Sequence, residues 1–422
     1  MDQLISKKIR GFRDILPGES KKFLFIEKKI CDICTLFNTD HIKIPTLESI
    51  NLFKRSIGET SDIVTKEMYT FTDRNDDELC LTPEGTASCM RLAFENNLIY
   101  DRGIKKNRLY YYAPMFRHER PQKGRYRQFM QFGVEFMGDN SIHDDIDIIS
   151  MSQEFFNIIK LSEVTLHINT LGSVSDREKY SKVLQDYFNS YKKDFSDKHK
   201  TTIQKNPIRL LDSKDNKLKD IIESAPVIYD YININSKKRH EELLNHLTNI
   251  NIKFINNSKL VRGLDYYNDL VFEWKTNKLG SQDAICAGGR YDILSKIIGG
   301  KEIPAVGFAM GIDRVVELLD YEDKELVVGI AVLSNSSDDL LKYSSILRNS
   351  KTIFRLIQMD NNKSLSKQIK NAVKNNCDIL VIVGEDEIRN NTLTIKYLKS
   401  NRDDNTIDLD SFTNFISEYL DE

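Results

Sequence analysis

The chain has 422 residues and a mass of 49.0 kDa, enough for two to four domains with real cores. Hydrophobic residues make up 40% and charged residues 29%, with no apolar run of membrane-spanning length and only six cysteines, which excludes a spanning chain and a disulfide-stapled scaffold. The net charge of −2, from 61 basic and 63 acidic residues, argues against a generic nucleic-acid coat protein.

The start, MDQLISKKIRGF, has no apolar signal region, so a reducing, cytoplasmic setting with no membrane association is expected. The charge is unevenly spread. Residues 102–127 hold nine Lys or Arg, six of them arginines, against the single acid Glu119. Guanidinium groups so concentrated suit phosphate.

In chain order, Phe23, Ile26, Ile30, Ile33 and Phe37 recur every three or four residues and predict an amphipathic helix over 20–37. Cys31 and Cys34 lie on it; with no second CxxC and no nearby histidine pair, they read as buried core thiols rather than a zinc or redox pair. Short elements follow Pro45, then a strand at 79–81, a turn at 82–85 and a helix over 86–97. Residues 108–117 and 127–138 read as an antiparallel hairpin joined by a basic loop. On its second strand, Met130, Phe132, Val134 and Phe136 share one face; Arg127, Phe129, Gln131, Gly133 and Glu135 share the other. Gln and Glu flanking a glycine on such a strand predict a ligand cleft, with Gly133 letting a substrate approach the backbone.

Residues 174–258 show helical periodicity and read as a helical insertion. Strand patterns resume at 266–274, pass through the glycine-rich 287–290 and end at 305–309, before a helix near 311–319. Beyond an acidic stretch at 320–325, strands near 327–332, 352–357, 379–383 and 393–397 alternate with helices near 338–348, 364–375 and 410–419, as in a separate α/β domain. The expected division is therefore 1–173 with 259–325, an insertion at 174–258, and a domain at 326–422.

The segments TPEGT at 82–86, FRHERPQKGRYRQF at 116–129, LVRGLDYYN at 260–268 and AVGFAMGIDR at 305–314 resemble, in order and spacing, those of the histidyl-tRNA synthetase family of class II aminoacyl-tRNA synthetases. IPTLE at 44–48 is similar to the family's first motif, and the resemblance extends along nearly the whole chain. FRHER and GFAMGIDR mark class II in general, whereas LVRGLDYY and AGGRYD mark histidine. The resemblance implies an α+β fold: a catalytic antiparallel sheet flanked by helices, a helical insertion and a C-terminal α/β anticodon-binding domain. It implies activation of L-histidine by ATP to histidyl-adenylate, then transfer to histidine tRNA, with Mg²⁺ accompanying ATP and a homodimer formed through the first motif. Two proteins of other function share this core. The regulatory subunit of ATP phosphoribosyltransferase lacks the C-terminal domain and an intact LVRGLDYY, both of which this sequence has; a tRNA-sensing kinase module would carry a kinase segment.

The same resemblance implies residue roles. Arg117 would meet the α-phosphate, Arg262 the reacting carboxylate and phosphate, and Gln131 would lie beside them; these three are the catalytic candidates. Pre-placed guanidinium groups stabilise the extra charge of the phosphoryl transition state. Arg125 would hold the outer phosphates and Glu119 the adenine amino edge, with Phe129 and Arg314 sandwiching the ring. A cation in the first turn of a helix, as Arg314 is expected to be, opposes the macrodipole, and a residue kept against that preference serves a ligand. Histidine presents an ammonium, a carboxylate and a ring with one donor and one acceptor, so its site needs acids and a phenol. Glu84 and Thr86 would bind the ammonium and Glu135 with Tyr267 the imidazole, while Tyr266 and Tyr291 line the pocket. Arg120 and Gln122 resemble the bacterial loop that meets the tRNA acceptor end. Metal ligands and anticodon-reading residues are not legible in the sequence.

Overall fold

Pro17 opens the first helix, Pro17–Leu36, ahead of the apolar repeat, because a proline at the first helical position sacrifices no hydrogen bond. Phe23, Ile26, Ile30, Ile33 and Cys34 form its buried stripe. Cys31, expected to be a core thiol, is instead exposed: it falls one position beyond Ile30, off that stripe. The protein, seen as a computed structural model, is described over residues 7–58, 61–99, 107–213, 215–280, 283–322, 325–334 and 336–421. Arg102, Lys105 and Lys106 of the basic stretch lie outside the described residues.

The chain divides into two units, Met1–Tyr321 and Glu322–Glu422. The strands of the first are β1 (Asp40–His41), β2 (Leu47–Ser49), β3 (Thr70–Thr72), β4 (Glu78–Leu81), β5 (Asn107–Phe116), β6 (Gln128–Met137), β7 (Thr165–Thr170), β8 (Phe254–Asn256), β9 (Asn268–Lys275), β10 (Ala284–Arg290) and β11 (Ala305–Gly311). Eight of them form one sheet in the order β1-β5-β6-β11-β10-β9-β7-β8. Its interior pairs are antiparallel, but β1 and β8 add parallel edges, so the sheet is mixed where a purely antiparallel one is expected. Both edge strands return to the sheet by long connections, which permit parallel pairing.

The β5–β6 hairpin runs in register from Asn107↔Met137 to Phe116↔Gln128. Phe132, Val134 and Phe136 pack into the main core with the helices Pro17–Leu36 and Ile142–Ile158, leaving Gln131 and Glu135 on the opposite face. A small sheet, β2-β4-β3, delivers the TPEGT turn at the end of β4 into the helix Thr86–Glu95. The helices Val174–Ser190 and Asp197–Lys205 follow β7, and in the later helix Ile234–Asn249 the side chains of Leu243 and Leu247 join the main core. Tyr266 and Tyr267, expected inside a strand, lie in the loop just before β9.

The second unit contains β12 (Val327–Val332), β13 (Arg355–Gln358), β14 (Ile379–Val383), β15 (Thr392–Tyr397) and β16 (Asn405–Asp408), ordered β13-β12-β14-β15-β16. The first three are mutually parallel and the last two antiparallel. β14 is buried at every residue, as its unbroken ILVIV predicts for a central strand. β13 begins later than expected, and Ile353 before it is exposed. β16, where no strand is expected, is a largely exposed edge strand of four residues, too short to set a period. The last helix, Phe412–Asp421, is preceded by a tight turn at Leu409–Ser411. No helix among the described residues is long and apolar enough to cross a membrane.

Candidate active site

On the polar face of β6 lies a cleft of about 300 Å³, bounded by the TPEGT turn, the loop between β5 and β6, the segment before β9, and β10 and β11. Glu84, Thr86, Arg117, Glu119, Arg125, Phe129, Gln131, Arg262, Tyr266, Tyr267 and Arg314 all line it, so residues scattered over the sequence converge as expected. Glu135 and Tyr291 are buried at its base, beneath Thr86. Arg120 and Gln122 are exposed on the β5–β6 loop, where Gln122 forms an isolated bridge with Arg125.

One end of the cleft is acidic. The Glu84 carboxylate accepts the backbone N–H groups of Thr86 at 2.8 Å and Ala87 at 3.0 Å, and so satisfies the first turn of the helix Thr86–Glu95. Burial raises the Glu84 pKa, against those two amides and the nearby Arg117. The Thr86 hydroxyl donates to Glu135 at 2.7 Å, and the Tyr291 hydroxyl donates to the other oxygen of the same carboxylate. Glu135 is fully buried, and this pushes its pKa up to about 8 even though Tyr291 and Thr86 favour the ionised form. Tyr291 is thus a phenol bonded to Glu135. Tyr267 stands against Tyr266, ring centroids 4.8 Å apart, with the Arg262 guanidinium 5.6 Å from its own ring.

Gly133 does not offer its backbone to a substrate. The Tyr111 ring lies over it, and a Cβ at either Gly133 or Gly85 would collide with that ring. The absence of side chains at two glycines on different elements creates the slot that Tyr111 fills.

The other end is cationic. Arg117 donates to the Pro83 carbonyl at 2.8 Å, stands 3.9 Å from Glu119, and lies over the Phe129 ring at 5.5 Å. The guanidinium facing the Phe129 ring is Arg117, and Arg314 donates to the Ala284 carbonyl. Arg125 is ion-paired with Glu119, and Arg262 with Glu273, whose second oxygen is 3.2 Å from Lys275. Burial lowers the pKa of Arg117, Arg125 and Arg314, and mutual repulsion adds to this: Arg262 acts on Arg117, Arg314 and Arg117 on Arg125, and Arg117 on Arg314. Burial opposes the charge on Arg262 too, but Glu273 together with Tyr267 and Tyr266 outweighs it and the pKa rises. Guanidinium groups that repel one another in a partly dry cleft are an electrostatic receptor for a polyanion.

Several supporting residues were not anticipated. Tyr111 sits in a run of three tyrosines, and its place opposite Gly133 depends on the hairpin register. Glu273 is the acid between the buried Phe272 and Trp274, so strand alternation marks it as facing the polar side. Arg290 of AGGRYD is fully buried, bonded to Asp145 at 2.7 Å and Asp292 at 2.9 Å, and Asp145 also takes Arg239 at 2.7 Å. This network fixes the segment that carries Tyr291. The stretch before the first helix braces the basic loop: the Arg127 N–H bonds the Gly11 carbonyl at 2.9 Å, and Arg13 lies 4.0 Å from the Tyr126 ring centre. Arg13 also bonds Asp313 at 2.6 Å, and Asp313 accepts the Met130 N–H at 2.7 Å. Local sequence carries no signal for these contacts.

Among the described residues, no group of three or more His, Cys, Asp and Glu could hold a metal. Residues 11–315 match the histidyl-tRNA synthetase family, and residues 327–419 match the anticodon binding domain family. The chain is 41% identical to the histidine–tRNA ligase of Francisella philomiragia, covering 97% of this chain and 98% of that relative. It is also 41% identical to the histidine–tRNA ligase of Hydrogenovibrio crunogenus, covering 98% of each. Its fold superposes on the crystal structure of apo S. aureus histidyl-tRNA synthetase with a TM-score of 0.80 at 28% identity, over 97% of this chain and 99% of the other.

Proposed function

Because the chain belongs to the histidyl-tRNA synthetase family, as a class II histidine–tRNA ligase with an anticodon-binding domain, we propose that histidyl-adenylate forms in the cleft between Arg117 and Arg262. The observation that carries this reading is the polarity of the cleft: buried carboxylates Glu84 and Glu135 at one end, four arginines at the other. An amino acid has its ammonium and imidazole to offer the first end and its carboxylate to offer the second, where ATP brings phosphate.

A histidine carboxylate oxygen attacks the α-phosphorus, the bond to the β,γ-diphosphate breaks, and pyrophosphate leaves. Charge accumulates on the non-bridging α-phosphate oxygens, and Arg117 and Arg262 are the donors for it, with Gln131 beside them. Arg125 holds the outer phosphates, and Phe129 and Arg314 enclose the adenine, whose amino group reaches Glu119. On this reading Arg117 leaves the Phe129 ring and Glu119 trades Arg125 for the base when ATP enters. Glu84 and Thr86 hold the ammonium, Glu135 and Tyr267 read the imidazole, and Tyr266 and Tyr291 wall the pocket. Magnesium would enter with the nucleotide, held chiefly by phosphate and water.

The exposed Arg120 and Gln122 meet the acceptor end of histidine tRNA, and the domain at 326–422 binds its anticodon. Residues 1–173 and 259–325 form the catalytic domain and 174–258 the insertion; two copies pair through the first-motif region around β2, in the cytoplasm. ATP–pyrophosphate exchange across a panel of amino acids tests the central reading. Exchange with histidine alone is expected; no exchange with histidine, or equal exchange with several amino acids, would overturn it.

A further inference from the structure

Gln131 has an amide, and its two ends do opposite things: the oxygen accepts, the nitrogen donates. Its Oε1 is 3.1 Å from the Gly85 backbone nitrogen and 3.1 Å from the Tyr111 hydroxyl. A backbone N–H can only donate, so the amide atom facing Gly85 is the oxygen, and the Tyr111 hydroxyl, which also lies beside Thr86 and Glu135, is the second donor on it. Tyr111 is fixed in position. It is fully buried, its ring sits in the slot made by Gly85 and Gly133, and a Cβ at either glycine would strike the ring or its hydroxyl. Burial beside Glu135 and Glu84 raises its pKa well above the ordinary phenol, so it remains a donor.

We propose that Tyr111 is a positioning residue for adenylate formation: wedged over Gly85 and Gly133, it fixes the Gln131 amide so that the NH₂ points into the cleft, toward an oxygen of the histidine carboxylate or the α-phosphate. Gln131 lines the cleft and is itself almost fully buried, so a donor aimed there works in a largely dry setting. A neutral donor complements Arg117 and Arg262: it binds an oxygen without adding a third positive charge to a site where the guanidinium groups already repel one another. The Gly85 N–H selects which end of the amide the substrate meets, and the Tyr111 hydroxyl holds that end in place.

The inference rests on the reading of the cleft as the site of adenylate formation. Full-length protein with Tyr111→Phe keeps the ring and removes only the hydroxyl. Single-turnover adenylate formation should fall about three- to tenfold, the loss of one hydrogen bond, with the KM for ATP changed less than twofold. In a Gln131→Ala background the same Tyr111→Phe change should have less than a twofold further effect, because the group it positions is gone. Gln131→Glu preserves the oxygen facing Gly85 and Tyr111 but replaces the NH₂ by a second acceptor, and should lose roughly 10²-fold or more. An unchanged rate in Tyr111→Phe, equal losses from it in both backgrounds, or normal activation by Gln131→Glu would each overturn the proposal. Absence of histidine-dependent exchange in the unmodified protein would instead overturn the reading beneath it.

Discussion

Glu135 on β6 and Thr86 at the first turn of the helix Thr86–Glu95 meet at 2.7 Å, joining the two elements that form the acidic end of the cleft. Between them, Thr86 and Tyr291 place one donor on each oxygen of the buried carboxylate. Its remaining lone pairs are what a histidine ring N–H would meet.

Glu135→Gln should therefore lower kcat/KM for histidine by about 10- to 100-fold while ATP binding stays nearly unchanged, because a carboxyl that can ionise when it meets the imidazole N–H is replaced by an amide that cannot. A structure with histidine bound in which Glu135 is beyond hydrogen-bond reach of the imidazole, with no bridging water, would remove it from recognition.

The same carboxyl sets a pH dependence of stability. Its pKa in the folded protein is about 8, above the ordinary 4.5, so the native state retains a proton that the unfolded chain loses across that window. This contribution to the stability of the ligand-free protein is complete below the lower value and is lost as pH rises through the upper one. Thermal unfolding at several pH values from 5 to 9 should show that slope in the unmodified protein and not in Glu135→Gln.

Arg262→Ala should fold and bind ATP within a modest factor, yet form adenylate about 10²-fold more slowly or worse. Lysine should rescue only in part, since it lacks the planar fork. Glu273 retains Lys275 at 3.2 Å, so the variant does not leave a bare buried charge. Normal single-turnover activation by Arg262→Ala would exclude this residue from the chemistry.

The buried pair beneath Tyr291 should be expensive to break from one side. Asp145→Ala takes one of two carboxylate partners from the fully buried Arg290, leaving Asp292, and should destabilise the protein by about 1–3 kcal/mol in denaturant titrations. Replacing Asp145 and Arg290 together with apolar residues should recover much of that loss; an equal loss in the double variant would show that packing, not charge, dominates here.

Each unit has its own hydrophobic core. Removing residues 326–422 should weaken charging of tRNA far more than histidine-dependent pyrophosphate exchange. A truncated protein that keeps a cooperative thermal transition but loses both activities would contradict the assignment of tRNA binding to that unit.

The hairpin was legible because a period of two is a local property: residues 129–136 sort themselves between core and cleft without reference to the rest of the chain. The same alternation left Gly133 looking open, since the ring that covers it comes from the partner strand and only the register brings Tyr111 opposite. Nor could spacing reveal that Tyr291 bonds Glu135, since the AGGRYD segment that carries it is fixed by the Arg290–Asp145 pair, 145 residues apart in sequence. β16 was not legible because its four residues, NTID, are too few to establish a period of two.

The brace between Arg13 and Asp313 joins residues 300 apart. During synthesis the ribosome delivers Arg13 and the whole basic loop long before Asp313 exists, so the nucleotide end of the cleft cannot be locked until almost all of the first unit has emerged. Meanwhile, a nascent chain already long enough to form the β5–β6 hairpin lacks β11, and the β6 edge that β11 will occupy remains unpaired. Premature collapse is then a greater hazard for this protein than premature binding, and slowing translation before residue 305 should increase aggregation rather than folding yield.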